Sequence, residues 1–155
     1  MSYSYALGNF KPIADLNAST SDAKLSKKDL DSVEKYADRL YKSVGIDVEF
    51  TRHFVDRVND ERNKRQISPA ELVRIFNKTY QKHGKTIAKL GPDAEAVMKD
   101  MKTDINMPFV LNLSRNGMLE LVAKTIMRKK DFKTSNRKFT VERYIPRGLY
   151  DTVTL

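Results

Sequence analysis

Hydrophobic positions along the chain change period once, and that change organises the reading. From Leu30 the apolar residues Val33, Ala37, Leu40, Tyr41 and Val44 recur at helical spacing. Ser26 stands as N-cap with Asp29 three residues on, and Gly45 is a natural stop, so the spacing predicts a helix over 26–44. Residues 46–50 (Ile-Asp-Val-Glu-Phe) alternate and read as a short strand or an extended lead-in. Thr51 can cap a second helix over about 52–62, with Phe54, Val55 and Val58 apolar and His53, Arg57 and Glu61 on the polar side. Residues 62–66 form a basic turn. Ser68, Pro69 and Glu71 then make a capping box with proline at the first helical position. Leu72, Val73, Ile75, Phe76 and Tyr80 supply the buried stripe, and Gly84 is the expected end.

After the turn at Gly91-Pro92-Asp93 the period falls to two. Residues 95–101 and 105–113 read as strands, the latter with Ile105, Met107, Phe109, Leu111 and Leu113 on one face. Pro108 inside it points to an edge, a bulge or the start of the ladder. Asn116-Gly117 suits a type I′ hairpin turn. The returning strand over 118–128 sets Leu119, Leu121, Ala123, Thr125 and Met127 against Glu120, Val122, Lys124, Ile126 and Arg128. Residues 139–141 offer a further strand. Helices first and an antiparallel sheet afterwards predict an α+β fold over 26–132, with an N-terminal arm at 1–25 and a C-terminal tail at 133–155.

Charge adds a direction. The chain of 155 residues carries a net +9. Residues 1–50 hold 7 basic and 8 acidic side chains, which leaves +10 for the remainder. A polyanion surface is therefore expected on the C-terminal two-thirds, against the plainer reading of a solvated basic face. Cysteine is absent, which removes disulfides, thiolate zinc sites and thiol catalysis. The two histidines lie 30 residues apart without metal-ligand spacing, so no cofactor is expected. No apolar run spans a bilayer and no signal peptide is evident, so no membrane partner is expected.

The chemistry that fits is cleavage of RNA without a metal. It needs a base for the 2′-OH proton, an acid for the leaving 5′ oxygen, and cations for the phosphorane. His53 can serve as base or acid, Arg57 can clamp the phosphate, and Lys124 and Arg128 on the last strand can complete the anion site. Arg52, Arg62, Lys64, Arg65, Lys129 and Lys130 are the candidate nucleic-acid contacts. The rival reading makes His53 an exposed helix histidine and Arg57, Glu61 and Arg62 a solvated helix face. His83 reads as a histidine meeting a helix C-terminus, and Tyr80 as a core residue.

The run Phe-Thr-Arg-His-Phe-Val-Asp-Arg at 50–57, Ile-Ser-Pro-Ala-Glu-Leu-Val at 67–73 and the strand ending Thr-Ile-Met-Arg-Lys-Lys-Asp-Phe at 125–132 resemble the barnase/EndoU/colicin/RelE-like endoribonuclease superfamily, its phage-encoded members especially. The resemblance covers about residues 26–132 and implies helices packed on a small antiparallel sheet. It places His53, Arg57 and Thr125 at functional positions. A second functional histidine, at the end of the following helix in phage members, would fall near Asn77, which is not a histidine; His83 lies six residues further on. The resemblance implies RNA or another nucleic acid as partner, the host translation machinery as a context, and the bacterial cytoplasm as location. The alternative is a non-enzymatic phage virion or accessory protein on the same scaffold, its arms holding neighbouring subunits.

Overall fold

The computed structural model describes residues 23–142, so the arm over 1–22 and the tail beyond 142 lie outside it. Among the described residues, three α-helices and a six-stranded mixed sheet make an α+β architecture. The helices are α1 (Lys27–Tyr41), α2 (Arg52–Val58) and α3 (Pro69–Ala88). The strands are β1 (Ile46–Phe50), β2 (Glu95–Asp100), β3 (Ile105–Leu113), β4 (Leu119–Ala123), β5 (Met127–Arg128) and β6 (Arg137–Val141). Their order is β1-β4-β3-β2-β6, with β5 on β3 beyond the end of β4. Among the described residues, no helix is long and apolar enough to cross a membrane.

The sheet is not the purely antiparallel one expected. β1 runs parallel to β4, and β6 parallel to β2. Both outer strands were the weakest sequence signals, five residues each. Their pairing is long-range, which local alternation does not encode.

Capping fixes two helices where the sequence placed them. Ser26 and Asp29 make a full capping box despite the shorter aspartate, and Ser68 with Glu71 makes the second. Gly45 ends the first helical segment at φ 78°, after a single 3₁₀ turn. Two boundaries differ. α2 stops at Val58, because Asp60 caps a separate 3₁₀ turn at Glu61–Asn63. α3 runs through Gly84 to Ala88, since Ile87 is fully buried and holds the last turn onto the core. His83 therefore lies inside the helix rather than at its end. Its Nε2 sits 3.1 Å from the Thr140 carbonyl and its ring packs on Phe139.

One face of the sheet carries the core. Ile46, Val48, Leu121, Met107, Phe109, Leu111, Ala96, Met98 and Phe139 meet Leu30, Val33, Tyr41, Leu72, Ile75 and Phe76 of α1 and α3. Tyr41 donates to the Phe76 carbonyl at 2.9 Å and stands edge-on to its ring. Tyr80 packs partly buried against this core, as expected. Leu113 does not join it: at the hairpin tip it is 62% exposed. β1 is an edge strand whose outward amides are satisfied by α1. Val48 N–H donates to Asp38 at 2.9 Å and Phe50 N–H to Glu34 at 2.7 Å, which closes the edge to further strand pairing.

Pro108 sits in the central strand β3. Its carbonyl accepts from Lys124 N–H at 2.9 Å, on the β4 side. The N–H and C=O of one residue in an antiparallel strand point the same way, so the missing proline donor faces the break between β4 and β5. That break also overturns the continuous strand expected over 118–128. Residues 124–126 leave the ladder, and Ile126 rather than Thr125 becomes buried. The hairpin differs too. Ser114 and Met118 close a three-residue loop in which Gly117 alone has positive φ (82°), the arrangement of a turn followed by a glycine bulge rather than a type I′ turn.

Candidate functional site

Parallel pairing of β1 with β4 puts Phe50 beside Ala123, so both strands end at the same edge of the sheet. The chain after β1 becomes α2, and the chain after β4 becomes the 124–126 break. They are tied together directly. Thr51 N–H donates to the Ala123 carbonyl at 3.2 Å and Thr51 Oγ1 to the Lys124 carbonyl at 2.9 Å, while Thr51 Oγ1 also accepts from Phe54 N–H as the α2 cap. This knot fixes α2 against the break and brings His53 and Arg57 to line one cleft with Thr125.

Between them lies an open cleft of about 690 Å³. α2 contributes His53 and Arg57, the following turn contributes Asp60, Arg62, Asn63 and Lys64, and the opposite wall is the run from Thr125 to Lys130 together with Asp104. The cationic side chains on its walls outnumber the two carboxylates, as a phosphate-binding cleft requires.

His53 is exposed, and Arg57 Nε donates to its Nε2 at 3.4 Å. Arg57 Nη1 is 3.2 Å from Asp60 Oδ2, leaving Nη2 outside these two bonds. Asp60 is itself held below the usual carboxylate range, first by the Arg62 amide and then by the Arg62 and Arg57 charges. The arrangement holds the guanidinium beside the imidazole rather than letting it sweep through solvent.

The opposite wall rests on a buried polar pair. Lys99, 6% exposed, donates to Asn106 Oδ1 at 2.9 Å and to the Lys130 carbonyl at 3.3 Å. Asn106 in turn donates to the Lys129 carbonyl at 2.8 Å and the Asp104 carbonyl at 3.1 Å. Burial, then the Lys138 charge, pushes the Lys99 ammonium below its ordinary range. Lys129 and Lys130 are exposed side chains on a backbone pinned from beneath.

The placement of four sequence-predicted site residues differs from expectation. Arg128 lines the cleft but its fork is consumed. Nη1 and Nη2 meet the two Glu71 oxygens at 2.9 and 3.0 Å, and further N–H groups reach the carbonyls of Thr103, Arg65 and Gln66. Its side chain is 9% exposed, so it braces the site instead of completing an anion hole. Lys124 points away and bridges Glu95 at 3.0 Å, because the chain leaves the ladder at that residue. Neither Arg52 nor Arg65 lines the cleft. Arg52 is exposed on α2, and Arg65 approaches Glu71 at 3.4 Å beside a neighbouring hollow. Near Asn77, the place of the second histidine, the side chain is buried with its Oδ1 accepting from Gln81, and His83 is engaged with β6, so neither lines the cleft.

Sequence reasoning missed Asn63 and Glu71. Asn63 is buried, donates to the Arg57 carbonyl at 2.9 Å and accepts from Arg128 N–H at 3.0 Å. Glu71 was legible only as a cap. Burial alone would raise its carboxyl, but the Arg128 hydrogen bonds, the Ser68 amide and the Arg128 and Arg65 charges outweigh burial and hold it below the usual glutamate range. Comparison of the chain with protein-family models, curated proteins and solved structures returned no match.

Proposed function

We propose that this chain binds RNA through the cleft and cleaves it without a metal, on a barnase/EndoU/colicin/RelE-like scaffold. The observation that carries the reading is the convergence of His53, Arg57 and Thr125, three residues from two distant segments, in one cleft walled by cations. In this scheme Arg57 turns from the His53 ring onto the phosphate, the freed Nε2 takes the proton from a ribose 2′-OH, and the resulting oxyanion attacks the adjacent phosphorus. The bond from phosphorus to the 5′ oxygen breaks. That oxygen takes a proton from solvent or from a lysine ammonium of the cleft, leaving a 2′,3′-cyclic phosphate and a 5′-OH. Arg57 neutralises the phosphorane, the Thr125 hydroxyl donates to a phosphate oxygen, and Arg62, Lys64, Lys129 and Lys130 hold the flanking backbone.

The engagement of Lys124 and Arg128 in structural pairs favours a second reading, RNA or other nucleic-acid binding by an accessory or virion protein without cleavage. Incubating mixed-sequence RNA with wild type and with His53→Ala in excess EDTA separates the two. Cleavage by wild type alone supports the enzyme; equal background with both proteins, alongside salt-sensitive binding, leaves the binding protein.

A further inference from the structure

Beside the main cleft lies a second, smaller hollow of about 370 Å³, lined by Lys24, Asn59, Asp60, Glu61, Lys64, Arg65 and Gln66. Asp60 and Lys64 line both spaces, so the two adjoin along that ridge. Lys64 occupies the ridge at a backbone cost. Its φ is 65° and ψ −60°, and Arg65 N–H closes onto the Asn63 carbonyl at 2.6 Å, which is a γ-turn of the rare positive-φ kind. A residue with a Cβ is strained there, and glycine would not be.

The turn is held by its surroundings. Asn63 is buried against the carbonyls of Arg57 and Val58, and the Arg128 guanidinium binds the carbonyls of Arg65 and Gln66 on the other side. The residue at the point of strain is nonetheless an exposed lysine. Three cations line the second hollow against two carboxylates. One of these, Asp60, is already bonded to Arg57 and to the Arg62 amide.

We infer that the second hollow is a subsite for the phosphate of a neighbouring nucleotide, and that Lys64 is held in its strained turn to meet that phosphate, next to the one at Arg57. Lys24 and Arg65 complete the subsite. The inference rests on the reading of the main cleft as an RNA site, and it extends the footprint to at least two consecutive phosphates.

The test uses the full chain with a fluorescent RNA hexanucleotide and with uridine 3′-monophosphate, in the His53→Ala background so that the RNA stays intact. Lys64→Gly should weaken the hexanucleotide about tenfold, the loss of one charge-assisted contact, and leave the mononucleotide within twofold. The Tm should hold or rise, because glycine accepts the turn. Lys64→Gln, which keeps a side chain on the strained backbone, should weaken the hexanucleotide equally. Arg57→Ala should weaken both ligands. Hexanucleotide affinity unchanged in both Lys64 variants, with Arg57→Ala still damaging, would overturn the subsite and spare the cleft. Equal losses for both ligands in the Lys64 variants would also overturn it, by assigning Lys64 to the main cleft. No effect of Arg57→Ala on either ligand removes the cleft reading and the subsite with it.

Discussion

Replacing Arg128 with alanine distinguishes a brace from a catalytic cation. The guanidinium and the Glu71 carboxylate are 9% and 15% exposed and meet through two short contacts of 2.9 and 3.0 Å. Removing one partner of a buried pair strands the other charge and costs about 3–5 kcal/mol. Glu71 would keep the Ser68 amide and a 3.4 Å contact to Arg65, which places the expected loss near the lower end, about 3 kcal/mol. Urea titration followed by circular dichroism measures it, provided the slope with denaturant stays constant. The pH dependence carries a sign. Because the folded Glu71 pKa is depressed, its contribution is complete above the ordinary glutamate range and is lost as pH falls through the folded value. The stability gap between wild type and Arg128→Ala should therefore be widest near neutrality and narrow in acid. A loss below about 1 kcal/mol, the scale of an exposed pair, with abolished RNA cleavage would refute the argument and return Arg128 to the catalytic list.

Glu34 caps the β1 edge from a position where burial, its largest influence, raises its carboxyl despite the Phe50 amide. A raised carboxyl opposes folding as pH climbs through its folded pKa, so Glu34→Gln, which keeps an acceptor, should equal or exceed wild-type stability at pH 7 and lose that advantage in acid; Glu34→Ala should cost about 1 kcal/mol in urea titrations. Replacing Lys129 and Lys130 together with alanine should leave the urea midpoint unchanged, since both side chains are exposed, and should flatten the slope of log affinity against log salt by about 1.4, two single-strand phosphate contacts. An unchanged slope would take both residues out of the RNA track.

The elements were largely legible because the signals that make them are local. Ser26 and Ser68 mark their helices by capping chemistry, and the alternation from Ile105 to Leu111 marks the buried face of β3. The failures fall where non-local contacts decide. Nothing within 46–50 says that it pairs in parallel with 119–123, yet that pairing brings His53 to line one cleft with Thr125. Period-two counting carried Lys124 and Arg128 onto one strand face, whereas the break after Ala123 turns one towards Glu95 and the other into the buried Glu71 pair. Glu71 showed its capping role because that partner is three residues away. Its second role depended on Arg128, 57 residues later. His83 looked like a helix end because Gly84 follows it, but Ile87 and β6 keep the helix going.

His53 acting on RNA held in the cleft is the central step of the proposed function. Single-turnover cleavage of a labelled RNA, with protein in excess and EDTA present, tests it alongside the binding curve of the same RNA. Wild type should release fragments ending in 2′,3′-cyclic phosphate. His53→Ala should lose about 100-fold or more in rate, the usual scale of general acid–base catalysis, while binding within a fewfold of wild type. Cleavage by His53→Ala at the wild-type rate, at equal occupancy, would contradict the account.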